Sequence, residues 1–585
     1  MLFRMNAQRK RVTDGKLPLP VGDSDWTRIV QRTYCIDKTL MIKDLVDAET
    51  RVALFTRPRR FGKTTAMQML KTFFEKRVGR DGKLVDNAPL FHDKQIWAAG
   101  EKYRALCGKF PVIYLTFKDH KAMNWEDAKR NLIDTIGFEC GRHRDAGALR
   151  GLSGEKLDQL LSIAALKADI NTVANALGLL AEALDTSDIV IDETTGERGR
   201  KPVILIDEYD SPVNSASTYG YYDEMVSFMR TFLPGAMKDN AHVEMGIMTG
   251  VLRVAKEDIL SGLNNLMVYT VFENRFSQYF GFTKNEVEEM CAYYGVPERM
   301  AEIEAWYDGY DFGGVQVFNP WSVLYYFAND CQPKAYWLDT SSNDLIAELV
   351  RDLPHGMAET LVGLLKKDAK DDPPIVPMTA ELGPYADIRK RSDTLYALLV
   401  STGYLKVAGE IEFGSCPVLL PNRELEQVFV NDIIAKIREH DARSISQAFL
   451  NSVIRRRPAE FKTAISDFLL ESVSFFDTAA EGFYHGMLLG FLAELRTSFR
   501  VLSNRESGFG RFDIALFPLL DGFPGVIIEV KAADADTDDL DALAATARAQ
   551  IDAKSYEADL RAKGVADILK FGLAFRGKRI SLASR

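Results

Sequence analysis

Cysteine is sparse in this chain. Its six cysteines, Cys35, Cys107, Cys140, Cys291, Cys331 and Cys416, form no C-x-x-C pair. Neither a zinc framework nor a disulfide scaffold is expected, and a reducing compartment fits. Long apolar runs are also missing. Nothing approaches the ~18 residues of a membrane span, and Met1 to Val12 carry Arg and Lys without the apolar stretch of a secretion signal. The expectation is a cytoplasmic protein with no membrane partner. Positive charge is not in excess: 73 Lys and Arg against 83 Asp and Glu leave a net charge of −10. That excludes a protein coated in basic surface, although a local basic groove remains compatible. No internal repeat is evident. A hydrophobic content of 46% and a charged content of 27% are ordinary for a folded chain. At 585 residues the chain calls for three or four domains of roughly 150 residues each.

Two patterns carry chemistry. Towards the C-terminal end, Gly510-Arg511-Phe512-Asp513 is followed by the strand-like Val526-Ile527-Ile528-Glu529-Val530-Lys531. An acid on one strand and an E-x-K triplet on the next would bring Asp513 and Glu529 to one hard cation, with Lys531 on the same strand face as Glu529. Such a cation activates a bound water, and the ammonium orients or neutralises the reacting phosphate. Taken alone, E-V-K reads as a strand ending in solvated charges.

Near the N-terminus, Val52-Ala53-Leu54-Phe55 reads as a buried strand, the residues from Arg57 to Phe61 as a loop, and Lys63 onward as a helix. Strand, loop, Gly-Lys-Thr and helix make a P-loop arrangement. The residues Arg57, Pro58, Arg59, Arg60, Phe61, Gly62, Lys63, Thr64 and Thr65 would bind ATP, Lys63 reaching the β/γ-phosphates and Thr64 ligating Mg²⁺. The G-x-x-x-x-G-K-[ST] frame places Arg57 where a first glycine is usual, so a different loop path is expected. The basic cluster of Arg57, Arg59, Arg60 and Lys63 reads as serving phosphate rather than DNA. A second strand, Pro202-Val203-Ile204-Leu205-Ile206-Asp207-Glu208, ends in two acids; Asp207 would hold Mg²⁺ through water and Glu208 would polarise the attacking water. Residues from Pro111 to Phe117 and from Val243 to Gly250 read as further strands of the same sheet.

The string Arg57-Pro58-Arg59-Arg60-Phe61-Gly62-Lys63-Thr64, the Asp207-Glu208-Tyr209-Asp210 tetrad and the entry Ile36-Asp37-Lys38-Thr39 resemble the AAA-ATPase-like family. Residues from Ser472 to Tyr556 resemble the PD-(D/E)XK nuclease-like domain that follows it there. That match rests on Phe475-Phe476-Asp477, Tyr484-His485-Gly486, the run from Ser503 to Asp513, Glu529-Val530-Lys531, Gln550-Ile551 and Lys554-Ser555-Tyr556. The resemblance implies further roles. Thr249 would sense the γ-phosphate and Arg253 would read it. Glu481 would supply an upstream helical acid, with Glu494 as alternative. His485 stands one turn after Glu481 and reads more simply as packing, and Gln550 lies near the scissile phosphate. Mn²⁺ could replace Mg²⁺ at the nuclease-like site.

The expected fold class is therefore α/β multidomain, with boundaries at 1–283 (P-loop core with a parallel sheet), 284–374 (helical lid), 375–468 (winged-helix-like and helical connector) and 469–585 (nuclease-like domain). The aromatic segment Trp306-Tyr307-Asp308-Gly309-Tyr310, with Phe318-Asn319-Pro320-Trp321-Ser322 and Tyr336-Trp337, reads as lid packing rather than base stacking. The stretch from Lys366 to Pro374 reads as a linker, residues from Asp192 to Lys201 as a surface loop, and the string from Ser261 to Asn265 carries no evident role. The function implied is ATP-regulated cleavage or remodelling of nucleic acid, by analogy in defence against mobile DNA. The alternative is an ATP-switched DNA- or protein-binding module that does not cut. Oligomerisation and a protein partner stay open.

Overall fold

The computed structural model describes residues 11–77, 83–149, 152–186, 200–252, 259–260, 263, 265–337, 357–365, 371–379, 391–429, 445–446, 448–472, 481–495, 498–508, 510–519, 523–533 and 539–584. Arg253, Phe475, Phe476, Asp477, the string from Ser261 to Asn265 except Leu263 and Asn265, most of the Asp192 to Lys201 loop and the first five linker residues from Lys366 lie outside the described residues, as does the side chain of Glu494. Two compact units divide at Val430 and Asn431.

The first unit is built on a parallel five-stranded sheet. Its strands are β1 (Val52–Thr56), β2 (Val112–Thr116), β3 (Val203–Asp207), β4 (Met245–Gly250) and β5 (Leu266–Tyr269), in the order β2-β3-β4-β1-β5. Every residue of β1 and β3 is buried, as strands covered by helices on both faces require, which is why they read as unbroken apolar runs. The helix Lys63–Phe74 follows β1 directly and buries Met67, Leu70, Phe73 and Phe74. The order sets β4 between the two motif-bearing strands. Its end therefore stands beside both β1 and β3.

Beyond the sheet, the helix Lys284–Tyr294 starts in a capping box formed by Thr283 and Glu286. The hairpin β6 (Tyr310–Phe312) and β7 (Val315–Val317) leads into the helix Pro320–Ala328, which Asn319 caps through the N–H groups of Trp321 and Ser322. The aromatics here pack on one another: Tyr307 meets Tyr326 and Tyr336, and Tyr307, Tyr310, Tyr326 and Trp337 are buried. A small module closes the unit. Strand β8 (Ile375–Pro377), the helix Ser392–Ser401, strands β9 (Lys406–Val407) and β10 (Ser415–Leu419) and the helix Arg423–Phe429 run in a helix, hairpin, helix order, with β8 added on the far side of β10.

The second unit has a mixed sheet, β11 (Phe499–Ser507), β12 (Gly510–Pro518), β13 (Gly525–Ala532), β14 (Ile568–Arg576) and β15 (Arg579–Ser584), hydrogen-bonded in that order and parallel only between β13 and β14. One face buries Ile528 and Val530 against the helices Pro458–Ser472 and Glu481–Leu492 through Phe461, Tyr484 and Leu488. The other buries Phe517 and Ile527 against the helix Leu540–Ala553 through Ile551. No helix among the described residues is long and apolar enough to cross a membrane.

Candidate functional site

At the C-terminal edge of the parallel sheet, the residues named from the two motifs meet. The Thr64 hydroxyl donates to one Asp207 carboxylate oxygen at 2.8 Å, and the Thr249 hydroxyl donates to the other at 2.6 Å. This three-residue contact follows from the strand order, because Thr249 is the last residue but one of the strand that separates β1 from β3. Lys63 is buried, and its ammonium donates to the carbonyls of Arg57 and Pro58 at 3.0 and 2.9 Å. Burial pulls the Lys63 pKa down, opposed by Glu208, Asp210 and Asp207. Burial likewise raises the Glu208 carboxyl, against the pull of Lys63. Glu208 is held in the left-handed region (φ 53), with its N–H donating to Thr249 Oγ1 at 3.3 Å. A non-glycine residue there costs about 1–3 kcal/mol, and such strain collects at functional sites.

The loop differs from the sequence expectation in a definite way. Arg57, at the usual glycine position, has no left-handed backbone; the positive φ values fall at Arg60 (71) and Gly62 (81). The Arg57 guanidinium is fully enclosed and does not serve phosphate. It donates to Thr56 O (2.8 Å), Tyr269 O (2.7 Å) and Ser277 Oγ (3.2 Å), and lies between the rings of Phe280 and Phe312. Burial depresses its pKa to about 9. Arg60 leaves the loop to lie 3.6 Å over the centre of the Trp321 ring, and Phe61 packs edge-on against Tyr310 at 4.8 Å. The basic string is thus split between loop architecture and the edge of the site. Gly62 opens the helix Lys63–Phe74 without any side-chain cap, so the first-turn N–H groups are available to an anion. Lys63, Thr64, Thr65 and Asp207 therefore fit a magnesium-bound nucleotide. Asp210, which carried no role in the sequence reading, is buried and accepts the N–H groups of Val251 and Leu252 at 3.0 and 2.9 Å, fixing the exit of β4.

In the second unit Asp513 and Glu529 stand on neighbouring antiparallel strands. Pairing between β12 and β13 runs to Ile514 opposite Ile528. Beyond it the Asp513 carboxylate accepts the Val530 N–H at 2.8 Å. Strand β12 kinks here, with left-handed Asn504 (φ 50) beside it: Phe512 joins the cluster around Ile551, whereas Ile514 joins that around Tyr484. Glu529 is 2% exposed. One of its oxygens accepts from the Gln550 amide and lies 3.5 Å from Lys531 Nζ. Its other oxygen is buried without a hydrogen-bond partner. Burial first, then Asp513, lifts the Glu529 pKa to about 7, with Lys531 opposing. An orphaned, enclosed carboxylate oxygen beside a second carboxylate is the donor chemistry a hard divalent cation fits. Gln550 reaches Glu529 because Gly572 on β14 lets the helix come close; a Cβ at Gly572 would collide with the carbonyl of Ala544. Tyr556, quoted in the sequence only as part of a string, is buried with its hydroxyl 3.3 Å from the Gln550 amide.

Glu481 does not join this pair. Its helix packs on the opposite face of the sheet from Glu529, Glu481 itself is exposed, and among the described residues no group of three or more His, Cys, Asp or Glu side chains could hold one metal ion. His485, on the same helix, is a packing and positioning group: its Nε2 lies 3.1 Å from Ser503 Oγ and 3.2 Å from the Asp513 carbonyl.

A parallel sheet in this order with a Lys-Thr-Asp-Thr edge defines the P-loop class, and the mixed sheet with Asp513 and E-x-K defines a nuclease-like fold. Residues 20–260 match the family of predicted AAA-ATPases and residues 479–584 match the PD-(D/E)XK nuclease superfamily. The chain carries an AAA-ATPase-like domain followed by a PD-(D/E)XK domain. It is 27% identical over 344 residues to the "Uncharacterized protein in vnfD 5'region" of Azotobacter chroococcum mcd 1, an alignment spanning 57% of this chain and 56% of that protein.

Proposed function

We propose that the chain binds ATP with Mg²⁺ at the edge of its parallel sheet and cleaves nucleic acid, with Mg²⁺ or Mn²⁺, at Asp513 and Glu529. The observation that carries the nucleotide half is the Thr64–Asp207–Thr249 contact, which sets a hydroxyl and a carboxylate beside the uncapped helix that starts at Lys63. A cavity of about 110 Å³ borders Gly62 and Thr65 and is walled by Trp26, Tyr34, Tyr279 and Phe282; flat apolar walls beside a phosphate loop suit a nucleobase. The nuclease half rests on the orphaned Glu529 oxygen. A bound cation would lower the pKa of its water; Asp513 and Glu529 would hold that cation, Lys531 would neutralise phosphate charge and Gln550 would fix the Glu529 carboxylate.

The rival, a nuclease fold that binds without cutting, is favoured by one observation: Glu481 stays off the site. The test uses the full chain with linear, supercoiled and single-stranded DNA and with RNA. Cutting that needs Mg²⁺ or Mn²⁺, stops with EDTA and is lost in Asp513→Ala with the melting temperature kept establishes the nuclease; every substrate intact, with and without ATP, establishes the rival. In parallel, Lys63→Ala should lose ATP binding by more than ~100-fold and Glu208→Gln should bind ATP and hydrolyse it slowly. ATP binding by Lys63→Ala at wild-type strength would reject the nucleotide site.

Regulation of the second activity by the first is part of the same reading. The phosphate loop is packed onto the aromatic segment and onto the small module that closes the first unit. The tip of the β9–β10 hairpin carries Glu410, Glu412 and fully exposed Phe413, without a Lys or Arg from Ala408 to Cys416. That surface suits a lid better than a phosphate backbone. A role in defence against mobile DNA rests on analogy with the family's domain pairing.

A further inference from the structure

The helix Glu481–Leu492 brings no acid to the site of the second unit, but it brings an imidazole to the backbone of one. Tyr484 clamps this helix to the sheet: its ring stacks on Phe575 at 4.3 Å and its hydroxyl donates to the Gly577 carbonyl at 2.9 Å. The clamp fixes the next residue, His485, which is half-buried with Nε2 3.2 Å from the Asp513 carbonyl oxygen and 3.1 Å from Ser503 Oγ. A carbonyl only accepts, so a bond to Asp513 requires the ring proton on Nε2. The Asp513 carbonyl needs such a partner because both ladders are interrupted there. Pairing between β11 and β12 runs through Ser503 opposite Ile514 and Arg505 opposite Phe512, but omits Asn504, which stands across from Asp513 and is left-handed at φ 50. Pairing between β12 and β13 ends at Ile514 opposite Ile528. Past that end the Asp513 carboxylate, rather than its backbone, accepts the Val530 N–H at 2.8 Å. In a regular strand neighbouring strands satisfy the carbonyls. At Asp513 the helix holds the carbonyl and β13 holds one carboxylate oxygen. With both ends of the residue fixed, its second oxygen is presented in one direction, beside Glu529, the residue before Val530.

We propose that His485 is a positioning residue of the second unit's site: its Nε2–H holds the Asp513 backbone in the kinked form in which Asp513 and Glu529 can share one divalent cation. The proposal rests on the metal-site reading above. His485 acts through Asp513 and touches neither cation nor substrate. A histidine that ligated the cation would have to offer a bare nitrogen, whereas Nε2 is spent on a carbonyl here. Outer partners that orient a ligating carboxylate contribute about 10–100-fold in metal affinity. A side chain that only filled space on this helix would contribute to stability and leave that affinity alone.

The test uses the full chain as wild type, His485→Ala, His485→Gln and Asp513→Ala. Calorimetry with Mn²⁺ measures affinity, and the binding that Asp513→Ala abolishes defines the site; melting temperatures and the Mn²⁺ dependence of DNA cleavage are recorded alongside. His485→Ala should weaken Mn²⁺ binding at that site by ~10–100-fold, and saturating Mn²⁺ should restore much of its cleavage rate. His485→Gln should recover most of the affinity, because its amide N–H can donate to the same carbonyl but cannot replace an imidazole as ligand or proton carrier. His485→Ala with wild-type Mn²⁺ affinity overturns the inference. So does folded His485→Gln with affinity as poor as Asp513→Ala, since the imidazole would then be a ligand; this second variant decides the matter even where His485→Ala fails to fold. Wild type that binds Mn²⁺ through Asp513 yet cuts no substrate overturns the cleavage reading, and the affinities of the two His485 variants still decide the positioning role. Wild type without Mn²⁺ binding overturns the metal site and this role together.

Discussion

Glu424 shows at the scale of one residue what enclosure does to a carboxyl. It lies fully buried on the helix Arg423–Phe429, one oxygen accepting from Ser322 Oγ at 2.9 Å and the Trp337 N–H at 3.0 Å, the other oxygen without a partner. Burial raises its pKa to about 7, against the lowering effect of those hydrogen bonds. The folded state therefore holds a proton that the unfolded chain releases near pH ~4.3. The resulting stability is fully present below that unfolded value and is lost as pH rises through about 7, on the order of 3 kcal/mol in all. Denaturant unfolding of wild type and Glu424→Gln between pH 4 and 8 checks this. The difference in stability between the two should change across that range in the direction that favours wild type at low pH. A difference that stays constant with pH would show that Glu424 is ionised in the fold.

At the scale of elements, the phosphate loop behaves as part of the helical and aromatic segment as much as of the sheet. Pro58 supplies a carbonyl to Lys63 on one side and packs under Gly403 on the other. Gly403 has φ +86 and would place a Cβ 3.1 Å from Pro58. Gly403→Ala meets both penalties, left-handed backbone and a crowded contact, and should cost about 1–3 kcal/mol. Because the displaced residue carries one of the Lys63 partners, ATP affinity should fall several-fold along with the melting temperature. Lowered stability with unchanged ATP affinity would separate the module from the loop. The sites in the second unit are arranged by the same logic of elements. One strand kink at Asp513 and one missing side chain at Gly572 bring a carboxylate and the Gln550 helix to Glu529.

For the whole molecule, two compact units in one chain make nucleotide control of the proposed cleavage a question of linkage. A ligand moves a conformational equilibrium only by its difference in affinity for the two states. ATP and ADP must therefore differ in the state they favour if they are to regulate the second unit. The cleavage rate should differ among ATP, ADP and no nucleotide in wild type. Glu208→Gln, which binds ATP but turns it over slowly, should hold the ATP value. Six equal rates would show two independent activities on one chain.

The sequence by itself determined what depends on neighbours a few residues apart. Four apolar residues before Asp207-Glu208, a Gly-Lys-Thr turn between strand and helix, and the two-residue spacing of Glu529 and Lys531 each fix a local shape whose side-chain directions follow from strand and helix periods. The motif-bearing strands of both sheets and the meeting of Thr64 with Asp207 were legible on that ground. What the tertiary structure decided are contacts between distant positions. Arg57 is enclosed because Tyr269, Ser277, Phe280 and Phe312 surround it. Arg60 is drawn onto Trp321. Glu481 does not gather with Asp513 and Glu529 into one acidic group, although His485, one turn further along its helix, reaches the Asp513 carbonyl. A basic string and an acidic helix position look alike in sequence whether they face a ligand or a core. Which of the two they face is set by packing across hundreds of residues, and no local periodicity records it.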